Sequence, residues 1–246
     1  MKKLFRSIIS RTYHLVGWFI GRPRAEKIKG LIFQCGRVFE KKRTNADDHA
    51  RLFRISGSSR PLRLHFGADI RILKGWINID ISPYTKPDDY PFPDSKDIRG
   101  GRADYFQIDF REAPLPLSDG SVDLVFHEDF IEHLTQKEIV QFLAETYRVL
   151  KTGGIHRINT PDLLSSLGKN CDFTRGIAGV KCEEWDKYGH HNVLTRNFLK
   201  ELAKAVGYRE VVFNGRNKSL SKDVPQEYRP GDDRSDDEQI FCDLVK

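Results

Sequence analysis

The stretch from residue 115 to residue 162 constrains the fold of this chain more than any other. Residues 122–126 are a short, largely apolar run with two β-branched valines, and a Ser-Asp-Gly turn sequence precedes them. This pattern predicts a buried strand, and residues 155–159 predict a second one. Polar side chains follow each strand, at residues 127–129 and 159–162. We expect both groups at the ligand-binding edge of a parallel sheet.

The segment between these two strands predicts an amphipathic helix. Thr135 and Glu138 have the spacing of a capping box, and Gly153-Gly154 is a stop signal. Apolar side chains recur at helical spacing after the capping box: Ile139, Val140, Leu143, Tyr147 and Leu150. A strand, a helix of about four turns and a strand form the right-handed crossover of a parallel sheet. The sequence therefore predicts an α/β fold.

Three segments of this stretch recur together in a known pattern: residues 115–125, the triplet Glu132-His133-Leu134 and residues 148–154. In order and spacing they resemble the strand start, the EHL triplet and the RVLKPGG helix end of the class I S-adenosylmethionine-dependent methyltransferases, in particular the type 11 group. The resemblance extends over residues 62–246. It implies a Rossmann-like, seven-stranded, mostly parallel sheet with helices on both faces. It also implies methyl transfer from S-adenosylmethionine.

The first strand of this region leads into the loop that would contact the cofactor. The family shows the pattern L-D-x-G-x-G-x-G in this loop. This chain has His65 in place of the aspartate and Gly67, Asp69 and Arg71 at the three glycine positions, so one glycine of three is kept. The run LHFGADIRILKGWINID is more similar to the LHxGCGxxxLxGWxNID pattern of a glycan-related subfamily, with Ala68 and Asp69 in place of Cys and Gly. The resemblance implies that these residues, Arg71 excepted, bind the cofactor. Asp69 is the main departure, because its Cβ disfavours a positive φ.

Two aspartates follow the second and third predicted strands, residues 76–79 and 105–108. By resemblance, Asp80 would accept hydrogen bonds from both ribose hydroxyls. Asp109 would receive the adenine amino group, with Phe110 beside the ring. Each aspartate has a structural alternative as a turn or capping residue. We predict cofactor binding for all three residues.

The polar residues after the strand at 122–126 are the candidates for catalysis: His133, Glu132 and His127. His127 would also lie beside the methionyl end of the cofactor. The alternative to a general base at His133 is a histidine that only orients the loop. Asp129, Glu132 and His133 resemble the D/E-x-x-E-H cluster that can hold a divalent cation in ubiquinone-type O-methyltransferases. Because such carboxylates often cap the helix instead, we predict no metal.

Residues 163–194 have weak periodicity and lie where a segment can cover the methyl acceptor. Their aromatic side chains and the tandem His190 and His191 suit a sugar or another small polar acceptor, and Asp162 lies just before them. We predict that these three residues bind the acceptor, with O-methylation favoured. The alternative is a packed surface loop. Residues 210–213 and 240–245 predict a closing hairpin with one antiparallel strand, joined by a polar, mobile loop.

Length and charge divide the chain into two parts. The 246 residues suffice for one α/β core with an appendage. Residues 1–60 contain 15 Lys and Arg against 4 Asp and Glu, although the net charge of the whole chain is only +6. We predict a basic helical extension and linker over residues 1–60, with the linker at 51–60, and the methyltransferase domain over residues 61–246.

The basic extension predicts a cationic amphipathic helix, because its apolar and basic residues segregate at helical spacing. Its apolar run is too short to span a membrane, and it lacks the cleavage site of a signal peptide. Three alternatives remain open: a helix packed on the enzyme or a homodimer contact, peripheral binding at the inner face of a membrane, and nucleic-acid binding. We expect no nucleic acid, since no recognition motif accompanies the charge. The four cysteines form no CxxC pair, which favours a reducing, cytoplasmic compartment without structural zinc.

Three functions are compatible with these patterns. The favoured one is an S-adenosylmethionine-dependent methyltransferase that acts on a sugar, a glycan or a related metabolite. The second is a catalytically degenerate binding or scaffold protein, which Asp69 and Arg71 motivate because they replace glycines. The third, a nicotinamide-dependent oxidoreductase, is disfavoured because the G-x-G-x-x-G fingerprint is absent.

Overall fold

Seven strands form one sheet in this computed structural model, which describes residues 43–85, 99–174, 176, 179–225 and 234–246. The strands are β1 (Arg63–Phe66), β2 (Ile77–Asp80), β3 (Tyr105–Gln107), β4 (Val122–Glu128), β5 (Leu150–Pro161), β8 (Glu210–Phe213) and β9 (Gln239–Val245). Two short strands, β6 (Cys171–Asp172) and β7 (Lys181–Cys182), pair as a separate ribbon. The described α-helices are α1 (Ala46–Ile55), α2 (Gln136–Val149), α3 (Leu163–Lys169), α4 (Glu183–Asp186) and α5 (Arg196–Val206), and the described short 3-10 helices are Arg102–Asp104, Ile131–His133 and Asp236–Glu238.

The strand order is β3-β2-β1-β4-β5-β9-β8. Neighbouring strands from β3 to β5 pair in parallel, whereas β9 is antiparallel to both β5 and β8. The chain runs outward from β1 in one direction and from β4 in the other, so the switch point lies between β1 and β4. The predicted Rossmann-like, seven-stranded sheet and its single antiparallel strand are confirmed.

Helix α2 begins as predicted and ends earlier than predicted. The Thr135 hydroxyl accepts from the Glu138 amide, and the Glu138 carboxylate accepts from the Thr135 amide, which completes the capping box. The helix ends at Val149, because Leu150 is already extended and pairs with Val122. The predicted stop at residues 153–154 therefore lies inside β5, beside a register shift between β4 and β5.

The two faces of the sheet are covered differently. Val125 of β4 belongs to the main core with apolar residues of α1, α2 and α5, whereas its neighbours Leu124 and Phe126 point to the opposite face. On that face they pack with Leu73, Trp76 and Val224. These three residues come from loops after β1 and β8, so within the described residues loops supply this smaller core.

Part of the predicted linker at residues 51–60 is helical. Helix α1 is capped by the Asn45 side chain and ends at Ile55. The buried carboxylate of Asp48 accepts from the Gln107 amide of β3 and pairs with Arg102 at 2.8 Å. The linker prediction is wrong for residues 51–55, where the Asn45 cap and the contacts of Asp48 with β3 stabilise a helix. Residues 1–42 of the predicted extension lie outside the described residues.

The described ends of the segment between β8 and β9 are tied to the sheet. The carboxylate of Asp243 accepts hydrogen bonds from the Asn214 and Ser219 side chains and from the Leu220 amide. Asp243 also pairs with the buried Arg157. The expectation of a mobile loop therefore does not hold for residues 214–220. Three cysteines are described, all free thiols, and no described helix is long and apolar enough to cross a membrane.

Candidate active site

Two neighbouring cavities open beyond the carboxyl ends of the parallel strands. The smaller cavity has a volume of about 300 Å³ and the larger one about 610 Å³. The smaller cavity is lined by Phe66, Gly67, Ile79, Asp80, Ile81, Ser82, Ile108, Phe110, Arg111, Asp129, Phe130, His133 and Leu134. The larger one is lined by Asp129, His133, Pro161, Ser166, Asn170, Glu183, Glu184, Tyr188, His190, Arg234, Glu238 and Gln239. Both share Asp129 and His133.

The turn after β1 forms one wall of the smaller cavity. Gly67 adopts a φ of +66°, and a Cβ at this position would lie 2.8 Å from Cδ2 of Phe130. Only glycine fits without displacing that ring. Ala68 is buried beside Ile72 and Tyr105 and lines neither cavity through its side chain.

Asp69 and Asp80 are joined by a hydrogen bond. Asp69 has a φ of +42°, the conformation that we expected its Cβ to disfavour. Its amide donates to Oδ2 of Asp80 at 2.9 Å, and the Ser82 amide donates to Oδ1 at 2.8 Å. The Asp80 carboxylate lines the smaller cavity and keeps acceptor capacity beyond these two bonds. Asp69 is exposed and lies outside the cavity lining.

Asp109 is buried and does not line the smaller cavity, whereas Arg111 does. Oδ1 of Asp109 accepts from Nε of Arg111 at 2.7 Å, and Oδ2 accepts from the Arg111 guanidinium at 2.6 Å. Burial raises the pKa of the Asp109 carboxyl, but the bonds from Arg111 outweigh it and the pKa lies below its ordinary value. Phe110 lines the cavity. The adenine contact of Asp109 stays a prediction, and it would compete with this ion pair.

Two predicted cofactor residues, His65 and His127, are fully buried and line neither cavity. Nδ1 of His65 lies 2.9 Å from Oδ1 of Asn78, and the ring stacks on Phe126. His127 packs edge-on against Phe130, and neither of its ring nitrogens has a hydrogen-bond partner among the described residues. Burial lowers the pKa of His65 to about 4 and that of His127 well below its ordinary value. The structure contradicts cofactor contact by His65 and both roles of His127, because these side chains point into the core.

Asp129 lies between the two cavities and is held by a basic side chain. It adopts a φ of +48°, and its two carboxylate oxygens each lie 3.1 Å from Nη1 of Arg234. The Arg234 guanidinium also lies 3.6 Å from Glu128. Arg234 comes from the segment before β9, and sequence spacing gave no signal for this contact.

A buried carboxylate organises the larger cavity. Oε2 of Glu184 lies 2.7 Å from Nδ1 of His190, and Oε1 accepts from the Ser166 hydroxyl. Burial raises the pKa of Glu184, but the bonds from His190 and Ser166 bring it below its ordinary value. Since an ionised carboxylate can only accept, Nδ1 of His190 donates and its Nε2 is left for another partner. The Tyr188 ring stacks on His190 with centroids 5.7 Å apart.

The other predicted acceptor residues have structural contacts instead. Asp162 caps α3 by accepting from the Leu164 amide at 3.0 Å and lies 3.3 Å from Arg196. His191 is exposed and lines neither cavity, and its amide donates to the Glu132 carbonyl. Of the three predicted acceptor residues, the structure therefore places only His190 in a cavity.

Glu132 and His133 occupy different positions although they are adjacent. Glu132 is fully buried, and its Oε2 accepts from the Thr160 hydroxyl at 3.0 Å. His133 lines both cavities and lies edge-on to His190, with centroids 4.7 Å apart. Burial and the nearby His190 lower the pKa of His133. Its ring is therefore neutral at pH 7 and can accept a proton.

Residues 70–158 match the sequence model of the family described as "Methyltransferase domain". A protein of Mycolicibacterium smegmatis named "Probable S-adenosylmethionine-dependent methyltransferase" is 42% identical over 67 residues, which are 26% of this chain and 25% of the relative. The match therefore spans about a quarter of that relative's length.

Two solved structures of methyltransferases are among those that match this chain at low identity. The structure of a SAM dependent methyltransferase from Archaeoglobus fulgidus has 16% identity and a TM-score of 0.48, covering 87% of this chain and 99% of that chain. For 1,6-didemethyltoxoflavin-N1-methyltransferase from Burkholderia thailandensis, with bound S-adenosylhomocysteine, the values are 13% and 0.44, covering 98% of this chain and 89% of that chain. Because both TM-scores lie below 0.5, the fold assignment rests on the strand order itself.

Proposed function

We propose that this chain is a methyltransferase that binds S-adenosylmethionine in the smaller cavity and a small polar acceptor in the larger one. The observation that carries the proposal is that the two cavities meet at Asp129 and His133, beyond the carboxyl ends of β1 and β4. Ligands of open α/β sheets bind at this place. A methyl group could pass between ligands there without crossing bulk solvent.

The smaller cavity suits the cofactor chemically. Asp80 would accept hydrogen bonds from the ribose hydroxyls, and Phe110 and Phe130 offer aromatic surface for the adenine ring. Gly67 allows close approach of the backbone to the ligand. The carboxylate of Asp129 at the shared edge would face the cationic methionyl end, whose ammonium and sulfonium groups it attracts.

The acceptor that we propose is a sugar, a glycan or a related hydroxylated metabolite, methylated on oxygen. The larger cavity is lined by four carboxylates, Asp129, Glu183, Glu184 and Glu238, against one guanidinium, that of Arg234. This lining disfavours anionic acceptors such as carboxylates and phosphates, and it supplies acceptors for hydroxyl hydrogen bonds. Tyr188 and His190 offer aromatic surface to a sugar ring.

The residues of this chain would contribute orientation and proton transfer. The cofactor, when bound, supplies a methyl group activated by its sulfonium sulfur. The acceptor oxygen attacks that carbon in line, so positioning supplies most of the rate enhancement. The hydroxyl proton must leave as the new bond forms, and the neutral His133 at the shared edge is placed to take it.

Calorimetry on the full chain tests the proposal, with S-adenosylmethionine, S-adenosylhomocysteine and NAD as ligands. We expect both sulfur ligands to bind and NAD not to bind. Transfer of a labelled methyl group to a panel of neutral sugars, with sugar acids and sugar phosphates as the matched anionic panel, then tests the acceptor class. A label that appears only on the anionic panel contradicts the acceptor proposal.

A binding protein without catalysis is the second candidate. It is favoured by Asp69, a non-glycine residue at a positive φ in the cofactor loop, and by Arg71 in place of the third glycine. This candidate predicts that millimolar S-adenosylhomocysteine gives no calorimetric signal. The same titration therefore separates the two functions.

A further inference from the structure

Three side chains that can ligate a metal ion lie together beside the larger cavity. Glu132, His133 and His190 each offer one ligand atom, and these atoms all lie within 4.8 Å of one another. We propose that these three residues bind one divalent cation of the zinc class. From the sequence we predict no metal, because the motif alone offers only Glu132 and His133 beside Asp129. The structure adds His190 from a segment 57 residues later and shows the Asp129 carboxylate held by Arg234.

Backbone hydrogen bonds fix His190 next to Glu132. The Glu132 carbonyl accepts from the amides of both His191 and Asn192 at 2.9 Å, and the His190 amide donates to the Glu184 carbonyl at 2.9 Å. The Asn192 side chain donates to the Leu134 carbonyl at 2.6 Å. These hydrogen bonds hold the segment that contains His190 against the turn that contains Glu132 and His133.

The partners of the ligands orient them toward a common point. Glu184 accepts from Nδ1 of His190, which directs Nε2 away from the carboxylate, and Ser166 in turn donates to Glu184. Thr160 donates to Oε2 of Glu132. In protein metal sites, a ligating histidine usually donates its other ring N–H to a carboxylate, and a ligating carboxylate is itself hydrogen-bonded. Glu184 and Thr160 make these two kinds of bond here. The carboxylates Glu132 and Glu184 would also balance the cation's charge.

The ligand set selects the class of metal. Two imidazoles and one carboxylate suit Zn²⁺ and similar borderline cations, whereas Mg²⁺ and Ca²⁺ prefer oxygen ligands alone. Ligand atoms around a tetrahedral zinc ion lie about 3.4 Å apart, since each bond is about 2.0–2.1 Å long. Rotation of the exposed His133 side chain can bring its nitrogen closer. Because both histidines line the larger cavity, the fourth position would face the acceptor.

This inference goes beyond the proposed methyl transfer and does not depend on it. A cation at this site would bind the acceptor oxygen and make its hydroxyl more acidic. His133 would then be a ligand and no longer the base, and the more acidic bound hydroxyl would release its proton to solvent water. A metal-binding site in a chain that binds no S-adenosylhomocysteine would still support the inference.

Titration of the metal-free full chain with Co²⁺, followed by competition with Zn²⁺, tests the site. We expect one cobalt ion per chain, with the visible absorption of a four- or five-coordinate ion, displaced by Zn²⁺. His190→Ala and His133→Ala should each weaken Zn²⁺ binding at least ~100-fold, and Glu184→Gln about 10- to 100-fold through loss of orientation. His191→Ala is the matched control and should leave affinity within about twofold, since its side chain lines neither cavity.

Cysteines are the competing ligands, and the spectrum separates them. A cobalt site that includes Cys171 or Cys182 would add a strong near-ultraviolet thiolate band, which Cys171→Ser would remove. Such a band, or Zn²⁺ affinity unchanged in both His133→Ala and His190→Ala, overturns the proposal. Absence of binding at 100-fold molar excess over chain also overturns it. Because His133 is exposed, its variant keeps the test valid if Glu132→Gln fails to fold.

Discussion

The smaller and larger cavities are assembled from the chain in different ways. Most residues of the smaller cavity directly follow β1, β2, β3 or β4, so the backbone of the parallel sheet brings them together. Apart from the shared Asp129 and His133, the larger cavity is built from residues 161–190 and 234–239, which are held by side-chain pairs such as Glu184 with His190 and Arg234 with Asp129. We therefore expect changes in the first region to act mainly on ligand affinity. Changes in the second should act mainly on local structure.

Acid should destabilise the strands that end at the smaller cavity, and this is the largest effect that we expect. Burial lowers the pKa of His65 to about 4 and that of His156 to about 3, and it lowers the pKa of His127 as well. Unfolded histidines have a pKa of about 6.5, so the unfolded state binds more protons below that pH. Stability is therefore greatest above about pH 6.5 and falls as the pH drops from there toward the folded pKa values, below which both states are protonated and no more is lost.

Denaturant unfolding between pH 7 and pH 5 measures this effect, because ordinary carboxylates remain largely ionised there. The free energy of unfolding should fall by several kcal/mol in total, since one pKa unit corresponds to about 1.4 kcal/mol. His127→Phe should reduce the slope by up to about 1.4 kcal/mol per pH unit, the contribution of one proton. A flat profile for the parent chain would mean that the buried rings are charged and paired in the folded state.

Replacement of Asp80 tests the affinity of the smaller cavity. Asp80→Ala should weaken S-adenosylhomocysteine binding by about 1.5–3 kcal/mol, the value of a lost charged acceptor. Glu238→Gln is the matched change in the larger cavity and should leave that affinity unaltered. Calorimetry measures both. Equal losses in the two variants would show that the cavities do not act separately.

The Glu184 carboxylate tests the opposite expectation, that the larger cavity is held by side-chain pairs. Glu184→Ala leaves buried Ser166 and His190 without their acceptor and should lower the free energy of unfolding by about 1–3 kcal/mol. Glu183→Ala removes a neighbouring, solvent-exposed pair with Lys187 and should change the free energy of unfolding far less. Binding of S-adenosylhomocysteine should persist in both. A loss of that binding in Glu184→Ala would connect the two regions.

The same difference explains what could be predicted from the sequence. The strands, the capping box and the positions of Gly67, Asp80 and Phe110 follow from local patterns, because a residue after a parallel strand must lie at one edge of the sheet. Local patterns also indicated His133 and His190, without showing that their rings lie 4.7 Å apart.

The missed residues are those that depend on side-chain direction or on long-range pairs. His65 and His127 follow the expected strands, but alternation along a strand turns each of them into the core. Arg111 holds Asp109 through a bidentate contact that the spacing of two residues permits but does not require. Glu184 and Arg234 lie in segments of weak periodicity, where no sequence pattern identifies a partner.

Asp69 tests whether charge or backbone strain limits the cofactor loop. Asp69→Gly removes the carboxylate and relieves a φ of +42°, and we expect S-adenosylhomocysteine to bind about two- to fivefold more tightly. Asp69→Asn removes the charge alone, since asparagine tolerates this conformation. Equal gains in both variants assign the effect to charge. Unchanged or weaker binding would show that the carboxylate makes a favourable contact.

The smallest change in affinity should follow removal of the basic extension. The lining residues of both cavities lie between residues 66 and 239, so deletion of residues 1–42 should leave S-adenosylhomocysteine affinity within about twofold. Arg43 and Thr44 are kept, because their amides donate to Glu112 and the Thr44 hydroxyl accepts from the Asp109 amide.

The extension itself is predicted to bind anionic membranes. Each Lys or Arg near such a surface contributes about 1 kcal/mol, and salt weakens the attraction. The full chain should therefore sediment with vesicles that contain phosphatidylserine, less so as salt rises, whereas the deleted chain should stay in solution. Vesicles of phosphatidylcholine alone are the control. The membrane prediction is wrong if the full chain sediments with neither kind of vesicle. If the deletion then lowers thermal stability or abolishes a dimer, the extension is a structural helix.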